Sequence, residues 1–241
     1  MKLSDVFDQL AYGELSSLSL AVDGEVEPRE VNKIITHVNL GLTELHKRFV
    51  LKRKTLTLQT LADKSRYVLL AKYGESAGGS DPYILDADDP FKDDIIEVLR
   101  LNDEKGNEVL LGKTHLNGNR RNTIEVVQPA YNILRFVSDV EAGTKFTVEY
   151  QANHVTIPKV VDFESFDASK VDIDLPMTYL EALLFFIASR VITPISNNLG
   201  SPQEGTSYSA LFEKECQDLA VQGLDVDQAA INDRFSYNGF V

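Results

Sequence analysis

Residues 28–49 read PREVNKIITHVNLGLTELHKRF, and this stretch decides the first part of the fold. Its apolar residues recur at steps of three or four, at Val31, Ile34, Ile35, Val38, Leu42, Leu45 and Phe49. That spacing is the 3.6-residue period of an amphipathic α-helix, and Pro28 suits the first turn of such a helix. Charged residues occupy the other side, which is typical of a solvated or interface surface. The sequence therefore predicts a long helix that buries one face.

Three other stretches near the two ends of the chain also predict helices. They cover residues 4 to about 18, 176 to about 196, and about 206 to 222. The helix that begins at Pro176 is apolar around nearly its whole circumference. A helix of that kind is buried on all sides, so we expect its own fold or neighbouring subunits to cover it.

The middle of the chain has a different pattern, with short runs rich in Val, Ile, Leu, Tyr and Phe between polar turns. Such runs predict strands, and their regular spacing favours a small sandwich or barrel. No stretch of helical length and period occurs among them. The predicted strands are residues 51–59, 66–73, 94–102, 108–111, 122–128, 133–137 and 145–150.

Together these patterns predict an α+β protein. We expect a four-helix bundle built from both chain ends, an inserted antiparallel β domain that is a sandwich or a barrel, and an extended C-terminal tail. The corresponding domains are residues 1–50 with 171–223, residues 51–170, and a C-terminal tail at 224–241.

Composition excludes several classes of protein. The chain has 241 residues, 43% of them hydrophobic, which is enough for a sizeable core. Its formal net charge of −13 argues against a protein that coats nucleic acid, and its single cysteine excludes an internal disulfide. No signal peptide is recognisable, and the most apolar segment, residues 180–195, is shorter than the ~20 residues that span a bilayer. We therefore expect no association with a membrane.

One motif suggests catalysis. Residues 74–79 read GESAGG and match Gly-x-Ser-x-Gly, the turn that presents the serine nucleophile of α/β-hydrolases. That chemistry requires a helix directly after the serine, but Ser80, Asp81 and Pro82 follow instead. We therefore interpret the motif as a flexible loop, and a hydrolase that uses Ser76 is the least favoured alternative.

Two charged segments suggest binding. Asp86, Asp88, Asp89, Asp93 and Asp94 place five carboxylates in a short loop. Their spacing is not that of an EF-hand, so we favour a solvated acidic loop, with a cation site as the alternative. The basic runs at 52–54 and 117–122 could contact phosphate, but no aromatic stacking residues accompany them. His37 and His46 lack the spacing of metal ligands. We expect no cofactor, no metal site and no enzymatic activity.

Two helical segments carry a resemblance to a known family. Residues 31–49, VNKIITHVNLGLTELHKRF, resemble the second helix of the head-to-tail adaptor (connector) proteins of tailed bacteriophages, especially short-tailed phages. Residues 175–191, LPMTYLEALLFFIASRV, resemble the helix of those adaptors that returns after the β insertion. The order of elements is similar along essentially the whole chain.

The resemblance implies a structural protein of the virion neck, between capsid and tail, that is assembled in the host cytoplasm. Such adaptors form a homo-oligomeric ring, usually a dodecamer, beneath the portal protein. Double-stranded DNA passes through the ring without specific binding, and tail or nozzle and fibre proteins attach below it. Another neck or tail-completion ring protein is the alternative that we weigh first.

The resemblance also suggests which residues meet which partner. In such adaptors the C-terminal segment docks on the portal, which here implies Phe235, Tyr237, Phe240 and Val241 as contacts. The apolar returning helix implies a subunit interface, for which the candidates are Leu184, Phe185, Phe186 and Arg190.

Overall fold

The structure is a computed structural model that describes residues 1–13, 21–22, 25–112, 124–199 and 203–223 of the chain. It divides into two units, one formed by Met1–Leu51 with His154–Val241 and the other by Lys52–Asn153. The inserted unit therefore ends at Asn153, whereas the sequence pattern placed that boundary at residue 170.

The helical unit contains four α-helices in its described part and a small antiparallel ribbon. The helices are α1 (Leu3–Tyr12), α2 (Pro28–Arg48), α3 (Leu180–Leu199) and α4 (Gln203–Gln222), and the ribbon pairs β1 (Ala21–Val22) with β2 (Glu25–Val26). Helix α2 begins with Pro28 at its first turn and ends where Phe49 becomes extended. Two basic residues in its last turn, Lys47 and Arg48, complement the negative end of the helix dipole.

The prediction of a four-helix bundle is wrong. Helix α1 ends at Tyr12 rather than near residue 18, because Gly13 takes an extended conformation. Helix α3 packs against α1, α2 and α4, whereas α1 lies mainly against the 3-10 turn Ala168–Lys170 and the ribbon. The core of this unit also includes Ile157, Ile173 and Leu175 from non-helical chain. A short helix and extended segments thus complete a core that the prediction assigned to helices alone.

Residues 154–175 belong to the helical unit because α2 and the N-terminus bind their backbone. Asn39 donates to Ile157 O at 2.9 Å and accepts from Ile157 N at 2.9 Å. Asn32 makes the same pair of hydrogen bonds with Val160, at 2.9 and 2.8 Å. The N-terminal amine of Met1 lies 3.2 Å from the carbonyl oxygens of Ile173 and Leu175.

Helices α2 and α3 approach closely at Gly41. A Cβ at this position would lie only 2.6 Å from Leu183 Cδ1 and 3.0 Å from Phe186 Cδ1. The missing side chain is therefore what allows these two helices to touch, since real Cβ atoms do not come so close to other atoms.

The β unit consists of two four-stranded sheets. The first has the strand order β5 (Ile84–Leu85), β3 (Arg53–Gln59), β10 (Lys145–Ala152), β6 (Ile95–Asn102). The second has the order β4 (Arg66–Val68), β9 (Ile133–Phe136), β8 (Glu125–Ala130), β7 (Leu110–Gly112). Side chains of both sheets form one hydrophobic cluster, in which the rings of Phe136 and Phe146 lie 4.9 Å apart. The two sheets therefore pack face to face.

Two details of this unit differ from the prediction. Strands β7 and β8 are parallel, although we expected only antiparallel pairs. A parallel pair needs a connection of about a dozen residues, and residues 113–124 supply one. The predicted strand 66–73 stops at Val68, because residues 71–77 form two 3-10 turns. Among the helices of the described ranges, none is both long enough and apolar enough to cross a membrane.

Candidate functional site

Helix α3 has a groove on each of two opposite sides. We call the larger one, of about 780 Å³, the arginine groove. It lies between α2, α3 and α4 and is lined by Leu40, Thr43, Glu44, Lys47, Arg48, Phe186, Ser189, Arg190, Ser209, Phe212 and Glu213. We call the smaller one, of about 430 Å³, the methionine groove. It is lined by Gln9, Met177, Thr178, Leu180, Glu181, Leu184 and Phe185.

Arg48 organises one wall of the arginine groove. Its two terminal nitrogens donate to the two carboxylate oxygens of Glu213 on α4, each at 2.7 Å, and its Nε donates to Glu44 at 3.1 Å. The hydrogen bond from Arg48 holds the pKa of Glu213 below its usual value. The guanidinium also lies 4.9 Å from the ring centre of Phe212. This forked contact fixes α2 to α4 in a single geometry, which one point charge could not do.

Aromatic rings form the floor of the same groove. Phe186 and Phe212 meet edge to face, with ring centres 5.3 Å apart. Arg190 lies over Phe186, with its guanidinium carbon 5.1 Å from the ring centre. Within the described ranges, Arg190 forms no ion pair with a carboxylate. The groove thus offers an apolar floor and an exposed cation beside it, while Leu40 at its rim is 51% exposed.

The methionine groove has fewer charged side chains in its lining. Met177 is 57% exposed, and Leu180, Leu184 and Phe185 are each half-buried. Phe185 contacts Tyr208 of α4, with ring centres 6.3 Å apart. Glu181 is the ionisable residue of this lining, and its charge contributes to the raised pKa of Glu215, of which burial is the larger cause. A partner here would cover apolar surface that the described part of one chain leaves in water.

The structure divides the predicted interface residues between the two grooves. Leu184 and Phe185 line the methionine groove, whereas Phe186 and Arg190 line the arginine groove. The sequence had placed all four on one apolar helix without separating its sides. It did not single out Phe212 and Glu213 of α4, although the spacing of Glu44 and Arg48, four residues apart, signals a charged side of α2.

The other predicted contacts lie outside the described residues. Phe235, Tyr237, Phe240 and Val241, which the resemblance assigns to the portal, belong to residues 224–241. The basic turn at 117–122 lies outside the described ranges as well.

Ser76 does not occupy a nucleophile elbow. It lies in the 3-10 turn Glu75–Ala77, and Gly78 follows with a positive φ of 68° instead of opening a helix. The Ser76 hydroxyl donates to Asp86 Oδ2 at 2.6 Å, and the Ser76 amide donates to Oδ1 at 2.9 Å. Burial opposes ionisation of Asp86, but these hydrogen bonds and one from the Phe91 amide outweigh it, so that its pKa is lowered. The two hydrogen bonds between Ser76 and Asp86 thus hold this loop together.

The remaining carboxylates of the acidic loop do not converge. Asp94 accepts hydrogen bonds from Lys54 at 2.6 Å and from the Tyr150 hydroxyl at 3.0 Å, and Asp93 accepts one from the Ala71 amide. Over the part of the chain that the structure describes, no three His, Cys, Asp or Glu side chains group as metal ligands would. The basic run at 52–54 is likewise engaged inside its sheet, because Arg53 pairs with Glu149 at 3.0 Å and Lys54 with Asp94.

No model of a protein family matches the chain, and a search among curated proteins finds none with a matching sequence. The two grooves on α3 are therefore the features on which a function can be argued.

Proposed function

We propose that this chain is a structural, non-enzymatic virion protein, the head-to-tail adaptor of a tailed bacteriophage. In this proposal, copies of the chain form a ring beneath the portal, extend the DNA channel and provide the platform for tail or nozzle and fibre proteins. The observation that carries the proposal is the presence of two grooves with different linings on opposite sides of α3.

Two different surfaces on one subunit favour head-to-tail association. When one patch of a subunit meets a different patch of the next, the contact repeats and closes into a ring if the rotation per subunit allows it. The arginine groove and the methionine groove differ in lining and in charge, as such a contact requires. The resemblance of residues 31–49 and 175–191 to phage adaptors supports the same arrangement, because those segments form α2 and most of α3.

Charge supports a channel role. Residues 171–241 contain three basic and ten acidic residues, a sum of −7. A ring wall with this balance repels the phosphate backbone, so DNA slides through it instead of binding. Specific recognition of DNA forms no part of the proposal.

Binding to the portal tests the proposal directly. Mixing the full chain with portal rings of the same phage and imaging the mixture by electron microscopy should show a second ring stacked below the portal. A chain that lacks residues 224–241 should lose this density while its far-UV circular dichroism is retained. A triple substitution, Phe235→Ser with Tyr237→Ser and Phe240→Ser, should have the same effect, and Asn238→Ser in the same segment serves as control.

Two outcomes would contradict the proposal. Portal rings that stay bare at micromolar protein would favour a neck or tail-completion ring at another level of the tail. Unchanged portal binding after removal of residues 224–241 would refute the docking role of the tail.

A further inference from the structure

The outer surface of the second sheet in the β unit carries two arginines directly opposite each other. Arg66 of β4 and Arg135 of β9 are paired in register, and both are exposed. They line a shallow groove of about 560 Å³ together with Ser65, Pro129, Ala130 and Ile133. We call this surface the cationic face.

Neither guanidinium group is paired with a carboxylate among the residues that the structure describes. The lining of the cationic face contains no carboxylate, and neither arginine forms an ion pair within the described part of the chain. Residues directly opposite on antiparallel strands have Cβ atoms about 4.5–5.5 Å apart, and like charges at that distance repel each other. A carboxylate placed between them would accept forked hydrogen bonds and relieve the repulsion.

The opposite side of the same unit carries the complementary charge. The outer surface of the first sheet has a groove of about 270 Å³ that includes Thr55, Thr57 and the exposed acidic residues Glu75, Asp88 and Asp89. We call this surface the acidic face. No ion pair engages these three carboxylates among the residues described.

Side chains alternate in direction along each strand, and this alternation places both faces on the outside of the β unit. Leu56 and Leu58 of β3 point into the shared core, so Thr55 and Thr57 point away from it. Tyr67 and Leu134 likewise point inward from the second sheet, so Arg66 and Arg135 point away. Because the two sheets pack face to face, the cationic and acidic faces lie on opposite sides of the β unit.

From this arrangement we infer that the cationic face binds the acidic face of a second copy of this chain. The contact repeats from copy to copy, because each β unit presents one face of each sign. The inference deepens the proposed function and rests on its premise that copies of the chain adjoin one another. A copy of the chain fits better than nucleic acid, since a net charge of −13 repels a polyanion and supplies carboxylates.

Charge reversal on the full chain tests this contact by sedimentation. The first variant carries Arg66→Glu with Arg135→Glu, and the second carries Asp88→Lys with Asp89→Lys. Each variant alone should self-associate at least roughly tenfold more weakly than the wild type at low salt. An equimolar mixture of the two should associate again, because one variant then has two acidic faces and the other two basic ones.

A third variant and a control complete the design. A chain that carries all four reversals presents both signs again and should regain self-association. Lys105→Glu with Lys159→Glu changes the net charge as much as the arginine reversals do, at two exposed lysines outside both faces, and should leave association unchanged. Raising the salt from about 0.05 M to about 0.5 M should weaken the wild-type contact, because the charges at its rim are screened.

Three results would overturn the inference. The first is a wild-type chain that stays monomeric at about 0.3 mM in low salt, where even a weak specific contact is populated. The second is a mixture of the two reversed variants that does not associate. The third is binding of the wild type to DNA that is lost with the arginine reversals. None of these results decides portal binding, so failure of the inference is distinguishable from failure of the proposed function.

Discussion

At the scale of single residues, His154 shows how burial sets a charge state in the helical unit. Its ring is buried, with Nδ1 2.9 Å from Val155 O and Nε2 3.1 Å from the Thr43 hydroxyl. The Thr43 hydroxyl donates to Asn39 O at 2.9 Å, and His154 Nε2 lies 3.1 Å from that same carbonyl oxygen. Burial lowers the pKa of His154, and the ring of His46, 5.8 Å away, lowers it further.

The lowered pKa of His154 predicts that the protein loses stability in weak acid. The unfolded chain binds the proton at the ordinary histidine pKa of about 6.5, whereas the folded chain binds it only at lower pH. The free energy of unfolding should therefore be highest above that value and fall as the pH drops through it. In a His154→Gln variant the fall should be shallower, as urea titrations at several pH values would show.

A second histidine, His37, should contribute to the same pH dependence. The pKa of His37 is also lowered, by burial first and then by the charges of Lys33 and Arg190. His37→Gln should therefore flatten the same pH profile, and the double variant should flatten it more than either single one. A pH profile identical in all four proteins would contradict the assignment.

At the scale of elements, two asparagines of α2 hold an extended segment as a neighbouring strand would. Asn32 and Asn39 stand seven residues apart, two turns along one side of the helix. Each gives and accepts one hydrogen bond with a backbone residue of the segment, Val160 and Ile157 respectively. Nothing in a hydrophobic pattern signals such a contact, because the bonding partner is a backbone and not a side chain.

We predict that Asn39→Ala destabilises the helical unit by about 1–3 kcal/mol, because it leaves the Ile157 amide and carbonyl without partners. Hydrogen exchange should show faster exchange at the Ile157 amide, while Asn32→Ala should act on the Val160 amide. Thr36→Ala, an exposed change on the same helix, is the control. Unchanged protection of the Ile157 amide in Asn39→Ala would show that the hydrogen bonds of Asn39 contribute nothing to the stability of this segment.

At the scale of the whole molecule, the β unit is self-contained. It has its own hydrophobic cluster, and its two ends meet where the Ala152 amide donates to Lys52 O at 2.9 Å. We predict that residues 52–153 expressed alone unfold cooperatively and give a dispersed amide spectrum. A fragment that starts at residue 60 lacks β3, which pairs with both β5 and β10, and should not fold. A disordered 52–153 fragment would contradict this prediction.

The sequence predicts the α+β class, helix α2 and most strands, because each depends on a local period. It misses β5, since Ile84 and Leu85 are too short a run to show alternation. It misplaces the end of the insertion, since the hydrogen bonds of Asn32 and Asn39 join positions more than a hundred residues apart. The assignment of Leu184 and Phe186 to different grooves required the direction of α3 relative to α2, which depends on the contact at Gly41.

The closeness of the two ends of the β unit also affects the order of folding during synthesis. During synthesis α2 emerges long before α3, and at about 5–20 residues per second the intervening unit delays α3 by roughly 5–20 seconds. Throughout that interval the apolar side of α2 cannot pack against α3. A β unit that folds first brings its own ends together, so that α3 meets α2 across a closed link instead of a long, loose loop. The insertion separates the two helices in the sequence, but once it has folded, the loop that must close for α3 to reach α2 is shorter.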